Sequence, residues 1–481
     1  MTDHSSPNRQ DELPPEPMHD AAAIDALAIP KLAALPLIDA DPHVVPAAYV
    51  TASLPGIGGV IKQRPEDFLV DEQPLYQPSG EGEHIYMLVQ KRNMPTLAMI
   101  DVIARHFGVR KKDVGFAGLK DKIAITRQVV SVYAPGKKIE DFPQLVHDQV
   151  SILWVDRHNN KLRPGHLRGN RFSIRIRNVK PTDVLTALKG VRMLQESGVP
   201  NRLGEQRFGM FLDNHLLGRA IVLGDWKLFC DTLLGKLPAS LPAKAAQWNS
   251  RGRELYQAGH YREAIDHFPM GARTETRVLR TLSACEPQVE GQARLPAPYK
   301  KAVLSLDETV LRFYLSSFQS AIFNAVLDAR LAAGTFDKLL PGDLAIKGNL
   351  AVFAVDDAVI ADPTTPQRLK TFDISPSGPM WGTHMPTCTG EVGELEAQAL
   401  IRMGVSAAHL EAFETSSRFA LDGKRRPLRV PIIDPEVEGG LDEHGPYVRL
   451  AFELPRGSFA TVVLREIMKP AAAEPEMLSE E

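Results

Sequence analysis

Apolar and polar side chains alternate most cleanly over residues 170–179. Phe172, Ile174 and Ile176 lie on one side, Arg171, Arg175 and Arg177 on the other. A period of two predicts a strand with one face in a core and the other in solvent. Residues 448–455 alternate in the same way. Shorter runs bounded by turn residues, at 59–62, 68–72, 84–91, 114–117, 129–133 and 151–155, are read as further strands, with a turn at 64–67. The period changes to a helical one over 96–107. Leu97, Ile100, Ile103, Ala104 and Phe107 recur at that spacing, Thr96 is placed to cap the start, and Gly108 ends the run. Helices are also expected at 181–196 (stopped by Gly198), 311–331 (stopped by Gly334), 393–403 and 461–468.

Strands and helices in this order, without a repeated strand–helix–strand unit, indicate an α+β fold around a largely antiparallel sheet. The chain has 481 residues, more than one hydrophobic core usually serves, so two domains are expected. The composition changes after Gly224. Residues 227–305 hold an Ala/Pro/Lys-rich linker and a helical piece at 251–268 that looks like a single tetratricopeptide-type hairpin. One such hairpin cannot bury its own apolar face, so it reads as an insertion rather than a solenoid. Beyond it, 342–355 reads as a β-hairpin turning at Gly348 and Asn349, and the Pro- and Gly-containing 376–382 as a loop. Residues 1–50 form an acidic, aperiodic leader and 471–481 have the composition of a tail.

Charge adds something the total hides. The net charge is −3, but 1–50 carries eight acids and two bases, whereas 110–180 carries sixteen bases and six acids. A basic segment suits a polyanionic partner, although a solvated basic surface has the same composition. The sequence lacks an apolar run of membrane-spanning length, and its polar N-terminus does not resemble a secretory signal. Three widely spaced cysteines suggest neither a disulfide framework nor a zinc site; they fit a reducing cytoplasm.

The basic segment contains the most informative stretch, Val-Gly-Phe-Ala-Gly-Leu-Lys-Asp-Lys-Ile-Ala-Ile-Thr-Arg-Gln at 114–128. Gly118 breaks an apolar strand, and Asp121 follows between Lys120 and Lys122 before the next strand begins. Cations beside a carboxylate favour its charged form, so Asp121 is a candidate nucleophile or base; a solvated charged turn is the alternative. A second block, Val-Pro-Asn-Arg-Leu-Gly-Glu-Gln-Arg-Phe-Gly at 199–209, is a tight loop. In it Asn201 offers a donor and an acceptor suited to a uracil edge, or else caps the next helix.

These two blocks closely resemble motifs of the TruD family of tRNA pseudouridine synthases, and 455–466 matches the end of the family's catalytic domain. Minor matches are Lys62 with Glu66, Asp67, Phe68, Val70 and Glu72, and Lys91 with Asn93 and Thr96. The resemblance implies a pseudouridine-synthase catalytic domain in two pieces, 51–226 and 429–470. Between them would lie an inserted α/β TRUD domain at 227–428, with the extra helical insertion at about 240–300. It implies isomerisation of uridine to pseudouridine in tRNA at position 13, with tRNA as partner, no cofactor or metal, no membrane and no obligatory protein partner. Asp121 falls on the catalytic aspartate. Asn201 is expected to bond the uracil edge, and Phe68, Leu203 and Phe459 to wall the base. Lys62, Glu66 and Lys120 support the site, with Lys62 as the cationic partner of Asp121. Residues 424–426 and Arg429 are expected to contact phosphates. This sequence departs from the family pattern at Leu203, where an aromatic is usual. Two competing readings are a non-catalytic RNA-binding protein on the same scaffold and an RNA methyltransferase. The second is disfavoured because no glycine-rich cofactor loop follows a strand.

Overall fold

The alternating segments pair into one large sheet. In the computed structural model, residues 48–237, 248, 251–287, 292–348, 350–417 and 419–469 are described. Residues 1–47 of the acidic leader, part of the Ala/Pro/Lys-rich linker, Asn349 and the tail lie outside them. The strands are β1 (Phe68–Pro74), β2 (His84–Arg92), β3 (Val114–Phe116), β4 (Ile125–Tyr133), β5 (Val150–His158), β6 (Leu167–Arg177), β7 (Val199–Pro200), β8 (Leu344–Lys347), β9 (Val352–Ala354), β10 (Ile374–Met380), β11 (Lys424–Pro427), β12 (Arg429–Val430), β13 (Ile433–Asp442) and β14 (Gly445–Pro455). Eight of them form a sheet in the order β13-β14-β6-β1-β4-β2-β5, with β3 added on β4. Only the β1–β4 pair is parallel. The sheet is thus mixed and largely antiparallel, as the element order predicted.

The period-two residues bury one face in two patches. Ile85, Met87, Val89, Val130 and Val132 pack under the helix Thr96–His106 through Met99, Ile100 and Ile103. Phe172, Ile174, Ile176, Val448, Leu450 and Phe452 share a core with the helices Val184–Ser197 and Ala460–Met468. The second patch joins residues from both ends of the chain, because β14 lies directly against β6.

Four local expectations are corrected. Residues 59–62 make only one bridge, in which Val60 and Arg177 exchange both backbone hydrogen bonds; Lys62 then takes a left-handed φ of +56°, which ends the extension. The helix predicted from Thr96 is capped at Pro95, and Leu97 is exposed, because Thr96 itself turns inward as the first helical residue. Arg177 does not face solvent with Arg171 and Arg175. It is buried at the end of β6, where the turn Pro65–Asp67 and the β13–β14 hairpin converge, and it donates to Asp67 and to Asp442, each at 2.6 Å. The hydrogen bond from Arg177 holds the Asp442 carboxyl well below the usual carboxylate range. Finally, 376–380 is strand and not loop. All seven residues of β10 are buried, and the strand runs between β11 and β8. Prolines normally argue against a central strand. Here Pro376 contributes its carbonyl, which accepts from the backbone N–H of Leu428 at 2.9 Å.

The second sheet, β11-β10-β8-β9, is antiparallel throughout. Against it lies the long helix Glu308–Ala332, which also crosses the helix Asn214–Val222. The chain leaves the large sheet through β7 and returns through β12, and these two pair side by side.

The crossing of those two helices depends on Gly218. A Cβ there would stand 2.1 Å from the Tyr314 carbonyl oxygen. Helix propensity alone would make Gly218→Ala stabilising by about 1 kcal/mol. Overpacking at a backbone contact costs about 1–3 kcal/mol or more and should win. Gly218→Ala is therefore expected to lower the melting temperature; an equal or higher value would show that the helices do not approach so closely.

Candidate active site

Asp121 sits on the connection between β3 and β4, and that connection is tied down on several sides. The Lys91 ammonium, fully buried on β2, donates to the Asp121 carbonyl oxygen at 2.6 Å. The backbone N–H of Lys120 donates to Thr96 Oγ1 at 2.9 Å, and the Gln128 amide donates to the Gly118 carbonyl at 3.2 Å. Lys91, Thr96 and Gln128 therefore act on the loop's backbone. The motif that links Lys91 to Thr96 has this as its physical content; in the sequence it carried no assigned role.

The carboxylate itself meets Lys62. Their Nζ and Oδ1 atoms are 2.8 Å apart, and the Asp121 side chain is 27% exposed against 11% for Lys62. The left-handed backbone at Lys62 aims its side chain at this point. The ammonium also lies over the ring of Phe68, 4.6 Å from its centroid, a cation–π contact that fixes it from below. Lys62 is thus the cationic partner expected from the sequence.

The other site residues fall in less expected places. Lys120 turns away from Asp121: its ammonium pairs with Glu72 at 2.5 Å, in a contact buried on both sides. Glu72 uses its second oxygen to accept from the Val129 N–H at 3.1 Å. Glu66 pairs with Arg92 and Arg64 at the surface. Phe68 is buried in the sheet core, so the face it offers is already covered by Lys62. Phe459 is half-buried and packs against both the sheet core and a smaller cluster formed by Leu203, Phe323, Leu327, Phe336, Met380 and Leu428.

Leu203 is only 4% exposed within that cluster, and its backbone N–H and carbonyl are both bonded by the Asn324 side chain. It is packed as a core residue between the long helix and the second sheet. That packing is a physical reason for an aliphatic side chain here, and it leaves Phe459 as the partly open apolar surface. Asn201 is also enclosed. Its amide donates to the Pro427 carbonyl at 2.9 Å, and its side-chain oxygen accepts from Arg426. After these bonds the Asn201 side chain keeps one amide N–H and one oxygen lone pair.

Three arginines expected at phosphates are used inside the protein. Arg425 pairs with Glu396 at 2.7 Å in a fully buried contact. Arg429 donates to the carbonyls of Ser197 and Leu369. Arg426 donates to the Asn201 and Gly457 carbonyls as well as to the Asn201 side chain; burial, then Arg207, pulls its guanidinium down to about 10. Of the four residues named, only Lys424 is exposed. Elsewhere, His384 lies 3.3 Å from Glu414 and 3.6 Å from Asp422.

An α+β sheet thus presents one lysine-paired carboxylate on a strand connection held from several sides, with a second sheet beside it. Residues 45–467 match the family described as tRNA pseudouridine synthase D (TruD). The chain is 42% identical over 422 residues to the tRNA pseudouridine synthase D of Geobacter metallireducens, covering 88% of this chain and 97% of that one. It is 33% identical over 428 residues to that of Thermus thermophilus, covering 89% and 93%. The crystal structure of a Methanosarcina mazei protein assigned as tRNA pseudouridine synthase D superposes with a TM-score of 0.71 at 27% identity, over 89% of this chain and 97% of that one. The chain belongs to the TruD family of tRNA pseudouridine synthases.

The packing of Leu203 makes a prediction. Leu203→Phe adds volume to a closed cluster and should destabilise by about 1–3 kcal/mol, while the folded enzyme reacts at an unchanged rate. Thermal melting beside single-turnover kinetics checks it. An unchanged melting temperature with a faster reaction would place this side chain at the substrate instead.

Proposed function

We propose that this protein isomerises uridine to pseudouridine in tRNA, at position 13, with Asp121 as the catalytic carboxylate. The observation that carries the reading is the Asp121 carboxylate, accessible, held at 2.8 Å from Lys62 on a pinned loop, in a chain of this family. The bond from ribose C1′ to N1 breaks, the uracil turns, and C5 bonds to C1′. C5 gives up its proton and N1 regains one, so the mass is unchanged and no co-reactant is consumed. Asp121 serves either as a nucleophile at C1′ or as a base at C2′. Lys62 holds the carboxylate in place before reaction. The target must leave its stack to be reached. The free amide N–H and lone pair of Asn201 then suit the uracil edge, and Phe459 its face. A cytoplasmic location belongs to the same reading and agrees with three buried, free cysteines. Among the described residues, no helix is long and apolar enough to cross a membrane.

Asp121→Asn should abolish pseudouridine formation and leave tRNA affinity nearly intact, because affinity comes from many phosphate contacts. Pseudouridine mapping on tRNA incubated with each purified protein tests this. Retained turnover in the variant would remove Asp121 from the chemistry. Tight binding by the wild-type protein with no altered nucleoside would favour the non-catalytic binder.

Salt provides a second test. With Lys120 and Arg177 set aside as buried, the exposed cations of the basic segment include Lys111, Lys112, Lys137, Lys138, Arg163 and Arg168. Each phosphate neutralised adds roughly 0.7–0.9 to the slope of log affinity against log salt. Binding should weaken steeply with salt, and Arg163→Glu with Arg168→Glu should flatten the dependence. A dissociation constant indifferent to salt would show that this surface does not face the RNA.

A further inference from the structure

Leu119 stands out beside the site. A single exposed leucine on a protein surface is ordinary. This one differs in how it is held. Its side chain is 54% exposed, yet the backbone on either side of it is fixed: the Gly118 carbonyl accepts from Gln128, and the Lys120 N–H donates to Thr96. One residue earlier, the Ala117 carbonyl accepts from the Gly165 N–H at 2.7 Å. The leucine has little freedom to fold back and bury itself.

Its direction follows from the run of the chain. Residues 118–121 pass without a turn or bend. A Cβ placed at Gly118 would stand 3.6 Å from the Lys120 ammonium, so positions 118 and 120 face the same side and 119 and 121 the other. Lys120 is buried against Glu72. Leu119 and Asp121 therefore share the outward side, an apolar side chain next to the carboxylate. Lys122 follows in sequence, and the exposed Arg163 belongs to the loop tied to Ala117 through Gly165.

We infer that Leu119 is a wedge that enters the RNA stack where the target uridine leaves it. The inference rests on the proposed function, since it needs a base to be extruded toward Asp121. Removing a base from a stack costs a few kcal/mol, and an apolar side chain that takes its place recovers part of that through contact with the neighbouring bases. Leucine serves because it makes no hydrogen bond and so accepts any flanking base. Its fixed position beside Asp121 means that insertion and presentation of the uridine are one movement.

The test uses full-length protein with Leu119→Ala and Leu119→Met, both mild at an exposed position. On intact tRNA the alanine variant should lose about tenfold or more in single-turnover rate, the equivalent of roughly 1.4 kcal/mol, and the methionine variant should retain most of it. On a short single-stranded RNA with the same target, already unstacked, alanine should cost less than about threefold. A tRNA with 2-aminopurine next to the target reads the unstacking directly, at saturating protein and in an Asp121→Asn background where no chemistry intervenes. The fluorescence rise should vanish with Leu119→Ala and persist with Leu119→Met. An equal rate loss on both RNAs, or an undiminished fluorescence rise with alanine, would overturn the wedge. If the wild-type protein forms no pseudouridine, the proposed function fails, and the fluorescence arm still decides the role of Leu119.

Discussion

The buried pair between Lys120 and Glu72 governs the geometry around the Asp121 carboxylate. Two ions taken out of water must be closely matched, because the cost of desolvation is large. Here both Glu72 oxygens are used, one by the Lys120 ammonium and the other by the Val129 N–H. The lysine that precedes Asp121 is therefore drawn into the protein, and this turns Asp121 outward. The strands that carry Glu72 and Val129 are neighbours in the parallel β1–β4 pair. The direction of the Asp121 side chain is thus set by the sheet and not by the loop. Lys91 and Thr96 complete the arrangement from β2 and the helix after it, by bonding the loop's backbone and leaving its side chains free. Catalysis benefits from this kind of preorganisation, because a group already in place has nothing to reorganise when the substrate arrives.

That arrangement marks the limit of what the sequence discloses. Alternation predicted β6 and β14, because a strand with one buried face writes its geometry into every second residue; β1, β2 and β4 were legible as short runs bounded by turn residues. The pairing of Asp121 with Lys62 was also legible, through two matched motifs. Burial of charge was not. Arg177 reads as a surface residue in the alternation of β6, and only the arrival of Asp67 and Asp442 from distant segments makes its burial tolerable. Arg425, Arg426 and Arg429 read as a basic patch for the same reason: sequence shows the cation and hides the carboxylate or carbonyl that will enclose it. Leu203 reads as a pocket wall by resemblance, whereas the cluster that surrounds it is supplied by residues more than a hundred positions further on. β10 was missed because its prolines signal a loop, and what keeps it a strand is the pair of neighbours on either side.

The two sheets meet through polar groups as much as through apolar ones. Asn324 and Asp328, one turn apart on the long helix, take hold of the 201–203 segment: Asn324 bonds both backbone groups of Leu203, and Asp328 pairs with Arg202 at 2.5 Å in a buried contact. Arg426, at the edge of the second sheet, bonds the Asn201 backbone, the Asn201 side chain and the Gly457 carbonyl. Gly457 lies two residues before Phe459. One guanidinium from the inserted segment therefore spans the two groups that are proposed to hold the uracil, and its burial, which lowers its pKa, makes each of those bonds costly to lose. Asp121 and Lys62 belong to the large sheet, while Asn201 and the approach to Phe459 are held from the inserted one. The placement of a base against the carboxylate is then a matter of how the two sheets sit together. The β7–β12 pairing, where the chain leaves and returns, is one backbone tie between them.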